Sequence, residues 1–230
     1  MVVLALETVT PAGSYAVWGP AGLTSRQGDA GVPHAVRLPG VLADVLAEAN
    51  LSISDVTRVS AIAGPGSFTG VRIGLAAAQG LAQTRGWTMA LVPTLDALAA
   101  GWLAHHPGES RPIVACLDGA RGEVFTQLFM VGERGLAAHE PAQVSVPEAA
   151  HVPAGAVVIG DGAVRYAAHW QGEGRLVSDA VEPLAATAAR LAARPDWPTV
   201  APHAVQPVYV RPPDVELAKA RRNRAEATGQ

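Results

Sequence analysis

Apolar and polar positions follow two periods along this chain, and the changes of period mark out its elements. Val2–Glu7 is a continuous apolar run closed by an acid, the pattern of a strand buried on both faces. The turn-forming stretch Thr8–Gly13 follows. Ser14–Trp18 then reads as a second strand, and Gly19-Pro20-Ala21-Gly22 turns it into a third, Leu23–Gln27, so the chain opens on a three-strand meander. After a loop over 28–33 the period becomes helical: Leu38, Leu42, Val45, Leu46 and Ala49 line one face of His34–Asn50. Pro39 is a kink point if that helix begins at His34. Ser52–Asp55 is turn-like and Arg58–Ala63 a strand. Thr88–Val92 is another strand, and Pro93 leads into a helix from Thr94 to about His105.

The second half begins after His106-Pro107-Gly108. Ile113–Leu117 is a buried strand ended by Asp118; a turn and the strand Glu123–Val131 follow. This repeats the opening: apolar strand, acid (Glu7, Asp118), glycine-containing turn, second strand, as an internal duplication would. Beyond it come a strand at Val157–Ile159, a Gly160-Asp161-Gly162 turn, helices over Ala163–Trp170 and Pro183–Arg194, and a Pro-rich connector, Pro195–Pro202. Val208–Arg211 returns toward the first half. The expected division is therefore 1–106, rejoined by 203–218; 107–202; and a basic tail over 219–230, with four positive charges in Lys219–Arg224.

The stretch Ala61–Gly86, AIAGPGSFTGVRIGLAAAQGLAQTRG, is the most unusual. It enters as a strand end, turns through Gly64-Pro65-Gly66 and leaves as a helix with Ser67 or Thr69 as its N-cap. Gly70, Gly74, Ala78 and Ala82 recur every fourth residue, which puts a nearly side-chain-free stripe on one face. Each interior glycine costs roughly 1 kcal/mol relative to alanine, so something must approach this backbone closely. A Walker A loop requires Lys after the last glycine, where Val71 and Arg72 stand; a dinucleotide fingerprint requires one residue fewer between Gly66 and Gly70. What remains is a helix start able to hold an anion, or a tight turn with no ligand.

Composition narrows the class. With 49% hydrophobic and 16% charged residues the chain is globular, and a net charge of −3 gives no electrostatic footprint for nucleic acid. A single cysteine, Cys116, excludes an intrachain disulfide framework and fits a reducing compartment. The N-terminal apolar run lacks a basic region, and no run reaches the length of a membrane helix, so a cytoplasmic protein is expected.

The candidate chemistry is sparse. Asp118 and Glu123 are an acid/base pair in principle, or structural ion-pair partners with Arg121 beside them. His105 and His106 are adjacent and point about 100° apart on a helix. Cys116 lies in an apolar strand, and Ser14 and Ser67 have no base nearby.

The residues themselves say more than their spacing. GPGSFTGVRIGLAAAQGLA closely resembles the signature of the TsaB (YeaZ) family, bacterial proteins of the threonylcarbamoyladenosine tRNA-modification system. LALETVT resembles that family's LAIDTAT, LDGARGEVF its IDARRGEVY, and PVYVRPPD its PxYLRPPD, so the resemblance spans residues 4–214. It implies an α/β, actin-like and sugar-kinase-like ATPase (ASKHA) fold with two duplicated subdomains. It also implies a non-catalytic partner and activator of the TsaD threonylcarbamoyltransferase, acting in N6-threonylcarbamoyladenosine formation at adenosine 37 of ANN-decoding tRNAs. TsaD would be met as a heterodimer, TsaE in a larger complex, and a second copy of the chain when alone. tRNA would be touched only through the complex, and ATP used by the complex rather than held firmly by this chain.

Glu7 stands where actin-like ATPases place an Asp that holds phosphates and their metal, but the Thr10–Gly13 turn lacks the compact phosphate-cradling glycines, and turn capping is the competing role. The catalytic relatives carry an HxxxH metal pair; none occurs here. By the same resemblance, two helices from each partner form a bundle, which assigns the interface to His34, Leu38, Leu42, Gly70, Val71, Gly74, Ala77, Ala78, Leu81 and Ala82. Packing of the stripe against the chain's own sheet is the alternative. The rival functions are an active ATP-dependent transferase or kinase of the same fold, and a glycoprotease-like peptidase.

Overall fold

β1 (Val3–Glu7) is buried throughout and apolar up to its closing acid because both its faces are covered, and the first sheet is built around it. The computed structural model describes residues 1–133, 135–178 and 182–211; the expected basic tail lies outside them. β2 (Ser14–Gly19) and β3 (Gly22–Gln27) complete the antiparallel meander, while β4 (Arg58–Ile62) and β5 (Thr88–Val92) add in parallel on the other side, giving the order β3-β2-β1-β4-β5. α1 (His34–Glu48) and α2 (Phe68–Arg85) cover one face. α1 runs through Pro39, which sits on its solvent side.

The second sheet repeats the plan. β6 (Ile113–Asp118), β7 (Val124–Gly132) and β8 (Gly135–Ala138) form the meander, with the short β9 (Gln143–Ser145) also on β7. β10 (Val157–Ile159) and β11 (Leu176–Ser178) add in parallel, so the order β8-β7-β6-β10-β11 matches the first sheet strand for strand. β8, β9 and β11 are three or four residues long and largely solvated, too short to carry a period, and sequence reasoning missed them. The helix expected over Ala163–Trp170 is α4 (Asp161–Arg165) followed by a 3-10 turn at Ala167–His169. It starts early because Gly160, at φ 109°, makes the strand-to-helix turn by itself.

Two helices depart from the division at 106 and 202. α3 (Thr94–Ala104) leaves the first half to pack on β6, β7 and β10, and α5 (Leu184–Ala193) crosses back to pack on β1, β2 and β4. They also pack on each other, so the layer between the sheets is an exchanged pair of helices. α5 is mostly alanine on its buried side, which lets it lie close to β1 and β2.

Candidate functional site

The Gly64–Gly66 turn delivers α2 from the end of β4, and Ser67 is its cap: the hydroxyl accepts the Gly70 N–H at 3.2 Å. Thr8, just beyond β1, presses on the first turns of the helix. Its Oγ1 donates to the Gly70 carbonyl at 2.7 Å. A Cβ on Gly70 would stand 1.9 Å from the Thr8 carbonyl oxygen, and one on Gly74 2.3 Å from Thr8 Oγ1. The glycine stripe is therefore the contact with the chain's own first sheet.

That placement corrects the interface read from sequence. Gly70, Val71, Gly74, Ala78 and Ala82 are buried inside this chain, Ala78 completely, and cannot reach a partner. Leu38 and Leu42 also face inward. Of the expected set, His34, Ala77 and Leu81 keep part of their surface. Burial and the neighbouring Arg37 guanidinium hold the His34 imidazole below its ordinary pKa. Arg37 itself ties α1 to the turns before it, donating to the Pro11 carbonyl at 2.9 Å and the Val32 carbonyl at 3.0 Å.

The solvent side of the helix pair carries a second pattern, which sequence reasoning missed. Val36, Gly40, Ala43 and Ala47 recur at i, i+4, i+7 and i+11 along α1, and all four are exposed, Val36 to 70%. Thr69, Ile73, Ala76 and Gly80 repeat the same spacing on α2, with only Ile73 half-buried. A Cβ on Gly40 or Gly80 would meet nothing within 4 Å. Both glycines sit inside helices that the chain gains nothing by weakening. The signal was present as a weakly polar outer face on each helix, overshadowed by the stronger glycine stripe.

The second feature is a cavity of about 690 Å³ where the strand ends of the two sheets meet, lined by Val9, Pro65, Phe68, Asp118, Asp161 and Arg211 among others. Glu7 is not in its wall. Its carboxylate turns into the Thr8–Gly13 loop, accepting the Thr10 N–H at 2.7 Å, the Thr10 hydroxyl at 3.1 Å and the Ser14 hydroxyl at 2.8 Å. Ser14 Oγ in turn accepts the Ala185 N–H at the start of α5. Burial pushes the Glu7 carboxyl above the usual range, against the pull of those hydrogen bonds.

Asp118 and Glu123 each have their own partner. Arg165 donates to Asp118 Oδ2 at 2.6 Å, and Glu123 pairs with Arg211 from the far end of the chain. Arg211 also donates to the Gly119 carbonyl at 2.8 Å and lies 5.2 Å over the Phe125 ring. The return segment before it is pinned by the Val208 N–H, which donates to the Ala63 carbonyl at 2.7 Å. Cys116 is fully buried, and burial raises its thiol pKa, away from nucleophilic use. His106 stacks on Trp102 at 3.8 Å, while His105 faces Glu182. Among the described residues no three His, Cys, Asp or Glu side chains gather as a metal-holding group. No helix among them is long and apolar enough to cross a membrane.

A family profile described as "TsaD: tRNA N6-adenosine threonylcarbamoyltransferase" matches residues 28–174. The Escherichia coli (strain K12) protein named tRNA threonylcarbamoyladenosine biosynthesis protein TsaB is 33% identical over 152 residues, 66% of this chain and 65% of that one. The Haemophilus influenzae protein of the same name is 33% identical over 125 residues, 54% of this chain and 52% of its own. The chain thus spans less than two thirds of the length of these curated relatives. Among solved structures, YeaZ from Pseudomonas aeruginosa matches with a TM-score of 0.76 at 27% identity, over 90% of this chain and 99% of that one. Together with the two like sheets, these likenesses make the architecture an actin-like, ASKHA-type α/β fold.

Proposed function

The chain belongs to the TsaD family, among its TsaB (YeaZ) members, and from that membership we propose that it serves N6-threonylcarbamoyladenosine synthesis on tRNA as a non-catalytic scaffold. Its partner in this reading is a TsaD-type threonylcarbamoyltransferase, with a TsaE-type protein in the larger complex, and its compartment is the cytoplasm. The modified position is adenosine 37 of ANN-decoding tRNAs, and ATP is used by the complex.

The observation that carries this reading is the exposed, small-residue face shared by α1 and α2. Gly40 and Gly80 leave bare backbone on two neighbouring helices, at a cost of about 1 kcal/mol each, with no internal contact to explain them. A second pair of helices laid across Val36, Gly40, Ala43, Ile73, Ala76 and Gly80 would approach as closely as in a tightly packed bundle. The non-catalytic part is supported by Glu7, whose carboxylate oxygens are engaged by Thr10 and Ser14 within the chain.

The test is Gly80→Arg. The site is open, so the variant should fold at least as well as wild type and gain up to about 0.8 kcal/mol of helix propensity. It should fail to form a complex with a TsaD-type partner when the mixture is weighed by native mass spectrometry, and reconstituted tRNA modification should stop. A Gly80→Arg chain that still assembles would remove this face from the interface. The same face fits a second copy of the chain, and wild type without its partner should then weigh as a dimer.

A further inference from the structure

Phe68, the first residue of α2, and Tyr209, on the return segment, are exposed to 49% and 44%. Every other Phe, Tyr and Trp of the chain is buried or half-buried. The two exposed rings, 141 positions apart in the chain, are stacked on each other with centroids 5.5 Å apart and planes at 28°. Arg72, one turn along α2, places its guanidinium carbon 3.8 Å over the Phe68 ring and donates through Nε to the Tyr209 hydroxyl at 3.0 Å. Both rings line the cavity between the two sheets. Isolated exposed apolar residues need no explanation, but two aromatics brought together from distant parts of the chain and left in solvent do.

The platform is fixed rather than loose. The Val208 N–H holds Tyr209 on one side through the Ala63 carbonyl, and Arg211 holds it on the other through the Gly119 carbonyl and Glu123. Arg72 sets a cation at the platform's edge and has no carboxylate within ion-pairing distance among the described residues. Two of the nearby acids are ion-paired, Asp118 with Arg165 and Glu123 with Arg211, while Asp161 is turned to the backbone N–H groups of Asp118 and Gly162.

Resting on the tRNA-pathway reading above, we infer that this lip takes one unpaired nucleotide of an RNA loop. The base stacks on the Phe68–Tyr209 platform and the adjoining phosphate meets Arg72. Unstacked loop bases are recognised on aromatic faces and guanidinium planes, and each such stack is worth roughly 1–3 kcal/mol. The net charge of −3 on the whole chain keeps the contact local and weak alone, suited to guiding a loop toward a catalytic neighbour. A protein side chain seated on the rings is the other class of occupant; the uncompensated cation and the cavity shared by both rings favour a nucleotide.

The experiment uses the full chain and a 17-nucleotide anticodon stem-loop RNA with 4-thiouridine in the loop. Irradiation should crosslink it to peptides covering 66–72 or 205–211. In fluorescence anisotropy at low salt, Phe68→Ala and Tyr209→Ala should each weaken binding about tenfold, and Tyr209→Phe, which keeps the ring, should bind nearly as wild type. Arg72→Glu, an exposed change that leaves both rings, should also weaken binding. Complex formation with the TsaD-type partner, weighed separately, should be unaffected by Tyr209→Ala. Absent crosslinks, crosslinks elsewhere, or ring variants that bind RNA like wild type overturn the inference while leaving the scaffold reading intact. Loss of the partner complex in Tyr209→Ala with RNA binding unchanged also overturns it, and gives the lip to a protein.

Discussion

The two halves of this molecule follow one plan and diverge at matching points. Each begins with an apolar strand ended by an acid, Glu7 in β1 and Asp118 in β6. Each then places a glycine of the following crossover helix against the end of that strand. A Cβ on Gly70 would strike the Thr8 carbonyl at 1.9 Å, and one on Gly162 would lie 2.6 Å from the Leu117 carbonyl carbon. The acids differ because their cross-strand neighbours differ. Ser14 stands opposite Glu7 and donates to it, whereas Val124 stands opposite Asp118 and offers nothing, so Asp118 turns to Arg165 at the surface. The helices differ as well: α2 runs 18 residues, while α4, its counterpart, runs five. The same scaffold thus carries a long helix with an exposed small-residue face in one half and a thin cover in the other.

The largest expected effect tests whether α2 is built in as tightly as its glycine face implies. Ala78→Arg would force a long cation into a fully buried position against β4 and β1. Overpacking and an unpaired buried charge together should cost more than about 3 kcal/mol. Little soluble protein, or a thermal midpoint far below that of wild type by circular dichroism, is the expected result. Set beside Gly80→Arg on the opposite side of the same helix, it separates the two faces. Equal stability of the pair would undo the distinction between them.

Glu7 gives an effect of intermediate size. Glu7→Ala strands the Thr10 N–H and removes the acceptor shared by two hydroxyls, for a loss of about 2–3 kcal/mol in urea unfolding. Its pH dependence has a defined sign. Burial raises the folded pKa above the unfolded value near 4.5, so the folded state holds the proton more tightly. The stability from that proton is complete below pH 4.5 and is lost as pH rises through the folded pKa. Glu7→Gln should flatten this fall in urea midpoints measured upward from pH 4.5. A wild-type midpoint that instead rises across that interval, with the rise removed in Glu7→Gln, would mean that the hydrogen bonds outweigh burial.

Much of this was legible in the residues. β1, β4, β6 and the two long helices announced themselves by period, and the acid-ended strands already hinted at duplication. The resemblance around Gly64–Ala82 carried the fold. The exchange of α3 and α5 was not legible, because an apolar helix face does not say which sheet it covers. The glycine stripe misled for the same reason: Gly70 and Gly74 demand a close neighbour, and only the position of Thr8 shows that the neighbour is internal. Gly40 and Gly80, the glycines without an internal reason, became visible only once the space around them could be measured. Phe68 and Tyr209 are too far apart in the chain for any local pattern to join them.

The smallest effect belongs to Asp118, and its smallness is what the comparison with Glu7 requires. The Asp118–Arg165 pair is short, 2.6 Å, but Arg165 is 62% exposed, so solvent screens the pair and its side-chain ordering cost is not recovered. Asp118→Asn keeps an oxygen for the Ala120 N–H, which Asp118 Oδ1 accepts at 3.1 Å, and gives up the charge and the acceptor that faces the exposed Arg165. Stability should fall by less than about 1 kcal/mol, a shift in thermal midpoint of no more than about 2–4 °C for a chain of this size. Arg165→Ala should do the same, and the double variant should show a coupling below about 1 kcal/mol. A coupling of several kcal/mol would mean that the second half leans on its strand-end acid as heavily as the first leans on Glu7, and the two halves would then be alike in energy as well as in plan.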